Sequence, residues 1–210
     1  IFLIFLIFQD LWRPCSQGSW DGSTNSGSGD PGILEILEIL EILKDSNIGA
    51  IGPKIINTDG TVQHSCKRSF PTPLNSVFRL LKLDKIFPKS KIFGKYNLTY
   101  LDVDKEHDVD VLSGAFMFIP NKIFKLVDGF DERFFMFGED IEICFQTFNK
   151  GYNNFYCGSS SLIHFKGEST VNDINYLRNF YGAMHIYFKN VFTTNLILLD
   201  TIKIISRLII

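Results

Sequence analysis

Residues 134–145 read FFMFGEDIEICF, an aromatic and aliphatic run with two adjacent carboxylates, Glu139 and Asp140, at its centre. Ile141, Cys144, Phe145 and Phe148 follow the i, i+3, i+4, i+7 spacing of an amphipathic helix, and Gly151 supplies a stop. The spacing therefore predicts a helix over 141–150 with the carboxylates at its N-terminus. Two readings follow. Acids at that end cap free N–H groups and suit the helix dipole, an effect of ~0.3–1 kcal/mol. Alternatively, Phe134 to Phe137 form a partly dry wall that raises a carboxylate's affinity for protons, and such a group can act as a general base. An unpaired carboxylate in an apolar setting is costly, so the pair calls for a partner of some kind.

Working outward, DVDVLSGAFMFIP (108–120) reads as a strand, a Ser-Gly break and a second apolar strand. A helix is expected over 121–127, halted at Asp128-Gly129. Downstream, 152–165 is expected to hold one or two short strands ending at His164. Upstream, NIGAIG (47–52) reads as a short buried strand. KIINTDGTVQHS (54–65) resembles a hairpin with Asp59-Gly60 at its turn. Residues 67–100 look like a long excursion with one helix near 74–83. Strands alternating with helices mean an α/β fold.

The two ends differ from this middle. The chain begins with Ile, and IFLIFLIF (1–8) is too short to span a bilayer and has no basic flank. The expectation is a fragment, or a chain whose start lies upstream. Residues 16–32 have linker composition, rich in Ser and Gly. ILEILEILEILK (33–44) predicts a helix with Glu35, Glu38 and Glu41 drifting slowly round one side. In the tail, Asp200, Lys203 and Arg207 share one face of a helix over 196–210. That helix fits peripheral contact with a membrane, or burial against the parent domain. A net charge of −2 and a pI near 6.1 argue against a nucleic-acid partner. The four cysteines are scattered, as expected of reduced thiols and not of a zinc cluster.

Several ordered blocks resemble the C-terminal portion of family 2 glycosyltransferases of GT-A fold, the rhamnosyltransferase-like enzymes of cell-surface polysaccharide synthesis. The blocks are NIGAIGPKIINTDGTVQ, FPKSKIFGKYNLTYLDVD, VDVLSGAFMFIP, DGFDERFFMFGEDIEICF and LIHFKGEST, and together they span about residues 47–190. The resemblance implies an inverting transfer from a nucleotide-sugar donor, bound with Mg²⁺ or Mn²⁺, to a glycan or lipid-linked acceptor. It also implies a cytoplasmic location, at the inner face of the membrane if the tail lies on lipid. Asp140 is the expected base and Glu139 its support or an acceptor contact. Ser113 and Gly114 resemble the acceptor-side turn; their plain reading is a strand break. His164 resembles a metal ligand; its plain reading is a satisfied core histidine. Lys166 is expected to face the donor diphosphate as a point charge, or else to be solvated.

The sequence also departs from that family. The D-x-D motif expected of the preceding nucleotide-binding half is absent, and Asp102-Val-Asp104 and Asp108-Val-Asp110 lie too late to serve. Gln146 stands where related sequences commonly carry Arg, and Glu142 where Asp is usual. The expected layout is thus an unassigned flexible segment over 1–32, a partial GT-A fold over 33–170 lacking the nucleotide-binding half, and a helical segment over 171–210. Such a fragment is expected to have little activity alone. The competing reading is a non-catalytic, membrane-associated module that keeps the acceptor-side fold.

Overall fold

The computed structural model describes residues 2–5, 12–14, 31–134, 137–164 and 174–191. Its strands are β1 (Phe2–Phe5), β2 (Trp12–Pro14), β3 (Ile48–Ile56), β4 (Lys67–Arg68), β5 (His107–Val109), β6 (Val111–Leu112), β7 (Met117–Pro120) and β8 (Asn153–His164). Its helices are α1 (Pro31–Ile42), α2 (Pro73–Leu80), α3 (Leu83–Ile86), α4 (Asn121–Leu126), α5 (Glu139–Asn149) and α6 (Ile174–Val191).

A mixed sheet forms round β8. Strand β3 runs parallel to it from Ile48↔Asn153 to Ile56↔Ile163. Parallel strands are covered on both faces, which is why β3 is nearly unbroken apolar sequence. On its far side β3 pairs antiparallel with β7, and β7 with β1. The other edge of β8 is shared in succession: β5 pairs with 154–156 and β2 with 162–164. Between them the register with β3 shifts, Pro53 facing Cys157 and Lys54 facing Ser161. Gly158 lies in this irregular stretch, where a Cβ would come within 2.6 Å of the Lys105 backbone. Its lack of a side chain lets the 104–105 turn close over the strand.

Most expected elements are present, with informative differences. One continuous strand of 12 residues replaces the one or two short strands expected before His164. The turn at Asp59-Gly60 exists, Asn57 N–H donating to Thr61 O and Gly60 N–H to Asn57 O, but its returning arm makes only the Ile56↔Val62 bridge before entering a 3-10 turn. The excursion over 67–100 is better ordered than its composition suggests. Thr72 accepts a hydrogen bond from Asn75 N–H while the Asn75 side chain accepts from Thr72 N–H, and Pro73 takes the first helical position, so α2 starts with a capping box.

The core joins β3, β6, β7 and β8 to α5 through Ile51, Ile55, Leu112, Phe118, Ile143 and Tyr156, all fully buried. Ile39 of α1 and Leu43 just after it enter this core, while Glu38 accepts hydrogen bonds from Ser159 and Ser160 on β8. A second apolar cluster forms where Ala183, Tyr187 and Phe188 of α6 meet Phe134. Cys66, Cys144 and Cys157 are buried free thiols. Among the described residues no helix is long and apolar enough to cross a membrane. The tail over 196–210 lies outside the described residues.

Candidate active site

The sharp entry into α5 builds the site. Phe137 and Gly138 both have positive φ, +75° and +84°. That conformation is natural for glycine and strained for phenylalanine, and strain of this kind persists only where the surroundings hold it. Phe137 packs edge-on to Phe180 of α6 with ring centroids 6.0 Å apart. A Cβ on Gly138 would lie 3.1 Å from the Phe134 ring and 3.3 Å from Ala183. The chain therefore turns under α6 and presents Glu139 and Asp140 at the first turn of α5.

Asp140 is held from three directions. Its Oδ2 accepts from Arg68 Nη2 at 2.5 Å and from Gly114 N–H at 3.2 Å, and its Oδ1 accepts from Ile141 N–H at 2.8 Å. The ion pair is largely withdrawn from water, with side-chain exposures of 11% for Arg68 and 15% for Asp140. Arg68 Nη2 also donates to Leu112 O at 3.0 Å. Burial works against the Arg68 charge, but attraction by Asp140 more than offsets it and holds the guanidinium above its ordinary range. Successive residues of a strand face opposite ways. Lys67 accordingly turns away from Asp140, donating to Leu98 O at 2.8 Å and lining a cavity of about 430 Å³ with Gln63, Arg79, Asp84 and Asn97.

Glu139 has the opposite environment. Its Oε2 is buried and accepts no hydrogen bond. Burial first, and the negative charge of Asp140 second, push its carboxyl up to about 7, with Arg68 pulling the other way. The dry wall expected from Phe134 to Phe137 is present in Phe134, which is buried, and in Phe137, which is half-buried. Phe135 and Met136 lie outside the described residues.

The structure thus brings together four of the residues singled out in the sequence. Ser113 is buried and its Oγ accepts from Ala115 N–H at 3.3 Å, shaping the turn that aims Gly114 N–H at Asp140. His164 is elsewhere in its bonding: Nδ1 stands 3.2 Å from Gln63 Oε1, at the end of β8. The one group of three potential metal ligands among the described residues is Glu38, Glu106 and Cys157, which does not include His164. Mg²⁺ and Mn²⁺ prefer oxygen ligands, so His164 would need carboxylates beside it to hold either ion. Lys166 lies outside the described residues. The residue that sequence reasoning missed is Arg68. The signal was available in CKRSFP (66–71), where two adjacent cations sit in an otherwise apolar and small-residue stretch.

Comparison with known proteins finds similarity to curated glycosyltransferases. The chain is 31% identical over 125 residues to the N-acetylglucosaminyl-diphospho-decaprenol L-rhamnosyltransferase of Mycobacterium tuberculosis, covering 60% of this chain and 40% of that protein. It is 28% identical over 122 residues to the low-salt glycan biosynthesis hexosyltransferase Agl10 of Haloferax volcanii, covering 57% of this chain and 34% of that protein. No family model matches the chain. The resemblance to rhamnosyltransferase-like enzymes is thus shared with curated glycosyltransferases, and the chain spans less than half the length of the relatives it matches.

Proposed function

We propose that this chain is the acceptor-and-base portion of an inverting, family 2 glycosyltransferase of GT-A fold. The observation that carries the reading is the convergence of Arg68, Gly114 and the start of α5 on the Glu139–Asp140 pair, in a chain similar to two sugar transferases. The acceptor half occupies 33–170, and 171–210 forms a helical segment in peripheral contact with the cytoplasmic face of a membrane. The donor is a nucleotide-sugar. The acceptor is a lipid-linked glycan, in keeping with the N-acetylglucosaminyl-diphospho-decaprenol named for one relative.

In this reading the acceptor hydroxyl enters beside Gly114, where no side chain blocks it. The carboxylate pair takes the hydroxyl proton, and the oxygen attacks the anomeric carbon from the face opposite the leaving diphosphate, which inverts the centre. A single base is enough for that displacement. Hydrolysis by the same two carboxylates is disfavoured, because neighbours at one helix start do not straddle a glycosidic bond at the 5 Å or more, roughly, that glycosidases use. A divalent ion on the donor diphosphate is implied by the resemblance, and no step here depends on it.

An acceptor titration tests the reading. A short-chain N-acetylglucosaminyl-diphospho-prenol added to ¹⁵N-labelled protein is expected to shift the amides of Gly114 and Glu139. Sugar transfer by a form that also binds donor is expected to fall by orders of magnitude when both carboxylates are replaced by their amides. Unmoved amides, or transfer that survives that double replacement, would remove the assignment.

A further inference from the structure

Helix α2 turns its apolar side outward. Its buried position is polar: Asn75 Nδ2 donates to Ser69 Oγ and to Phe70 O. Leu74, Val77 and Leu80, with Leu81 just after the helix, are exposed, Leu80 to 80%. The apolar exposure continues through Ile86, Phe87 and Ile92, so that seven of the eleven exposed large apolar side chains among the described residues fall between 74 and 92. Scattered singly they would need no explanation, but gathered in one stretch they mark an interaction surface. The lobe is packed from within. Phe93 meets Phe78 of α2 and Phe87 with ring centroids 5.1 Å and 5.3 Å apart. Asn97 Nδ2 donates to Asp84 Oδ2 at 2.8 Å, and Thr99 Oγ1 to Pro88 O at 2.6 Å.

The charge of the lobe is equally uneven. Between Leu74 and Lys95 stand Arg79, Lys82, Lys85, Lys89, Lys91 and Lys95 against one acid, Asp84, in a chain of net charge −2. Asp84 is buried and lies 3.7 Å from Arg79. The five lysines are exposed, and among the described residues none of them forms an ion pair. A protein partner is the poorer fit, because lysine is depleted where proteins meet. An anionic bilayer fits both parts of the pattern. Acyl chains receive the apolar side chains, and lysine stems lie along them while the ammonium groups reach the phosphates.

We propose that the lobe over residues 74–95 is a docking surface for an anionic lipid bilayer. Leu80, Leu81, Ile86, Phe87 and Ile92 enter the headgroup layer, and Lys82, Lys85, Lys89 and Lys91 hold its phosphates. This surface is distinct from the helical segment over 171–210. It does not depend on the transferase reading, since a chain without sugar-transfer activity would dock in the same way. Four residues separate Arg68 of β4 from Pro73 of α2, so a docked lobe is closely tethered to the strand that holds Asp140.

A dye on the lobe of the whole chain tests this. Cys66, Cys144 and Cys157 are buried. With Cys15→Ser, an environment-sensitive fluorophore can therefore be placed at Leu80→Cys, with the exposed Lys150→Cys as the reference position. On adding vesicles of phosphatidylglycerol and phosphatidylcholine, the dye at 80 is expected to shift to the blue and brighten, and the dye at 150 to stay unchanged. Vesicles of phosphatidylcholine alone are expected to bind about tenfold more weakly or worse. Lys89→Glu combined with Lys91→Glu should weaken binding to the charged vesicles about twentyfold or more, at about fivefold per lysine, with Tm unchanged. If that variant does not fold, added salt on the parent takes its place and should weaken binding steeply. A dye at 80 that does not respond to charged vesicles overturns the proposal, even where the chain binds them through another segment. Equal binding to neutral vesicles overturns it as well. A shift at 80 that grows with protein concentration in the absence of lipid gives the surface to a second copy of the chain and removes the bilayer as its partner.

Discussion

Arg68 Nη2 and Asp140 Oδ2 stand 2.5 Å apart across 72 residues of sequence, joining the small β4–β6 sheet to the first turn of α5. Neither side chain has much water to fall back on. Removing one partner of such a pair leaves the other charge buried and alone, which typically costs about 3–5 kcal/mol. Arg68→Met and Asp140→Asn are each expected to lose stability on that scale in urea unfolding. The double variant should lose clearly less than the sum of the two, because the second change removes the stranded charge. Additive losses would show that the two groups are not coupled.

The raised proton affinity of Glu139 makes stability depend on pH in a defined direction. Its carboxyl sits at about 7 in the fold, against an ordinary value of 4.5. Between these values the folded chain binds a proton that the unfolded chain does not. This contribution is therefore full below about pH 4.5 and is lost as pH rises through 7. The loss amounts to roughly 3 kcal/mol for a shift of this size. Thermal melts from pH 4 to 8 should show Glu139→Gln gaining on the parent as pH rises. A pH-independent difference between the two proteins would contradict it.

Gly138→Ala tests the tight entry into α5. The new methyl meets the Phe134 ring at 3.1 Å and Ala183 at 3.3 Å, on a backbone with φ of +84°. A non-glycine residue at such a position costs about 1 kcal/mol or more from conformation alone. The expected result is a loss of at least that size by chemical denaturation, with shifted α6 resonances. An unchanged α6 spectrum would mean that the turn and α6 are not in contact.

Glu142 invites a stabilising change. It is 4% exposed, its Oε1 accepts from Gln146 Nε2 at 2.7 Å, and its Oε2 is buried without a donor. Gln146→Arg offers a charged fork to both oxygens one helical turn away. A gain of about 1 kcal/mol is expected, read as a rise of roughly 2–4 °C in Tm for a chain of this size. A lower Tm would show that the guanidinium does not reach the carboxylate.

The legible parts of this protein are those where one local rule dominates. The period of Ile141, Cys144, Phe145 and Phe148 located α5, and Asp128-Gly129 marked the end of α4, with φ of +65° and +76°. Ser113 and Gly114 could be singled out because a break between apolar runs is visible in text. The bond from Gly114 N–H to Asp140 could not, since it depends on β6 and α5 packing together. The partner of Arg68 was illegible for the same reason: the cations of CKRSFP stand out in the text, but nothing there points to a carboxylate 72 residues away. The unity of β8 was hidden by GSSS at 158–161, small residues of weak strand propensity that are held in place by the turn at 104–105 and by Glu38.

Because β3 leaves α1 early in the chain and its parallel partner β8 is made roughly a hundred residues later, the central sheet cannot close while the polypeptide is still growing through the α4 and α5 region. Pairing over such a separation is slow, and the apolar strands made first stay exposed until it happens. Newly made chains should therefore depend on holding chaperones until residue 164 has emerged, and a ribosome stalled before Asn153 should display a nascent chain that proteases cut freely.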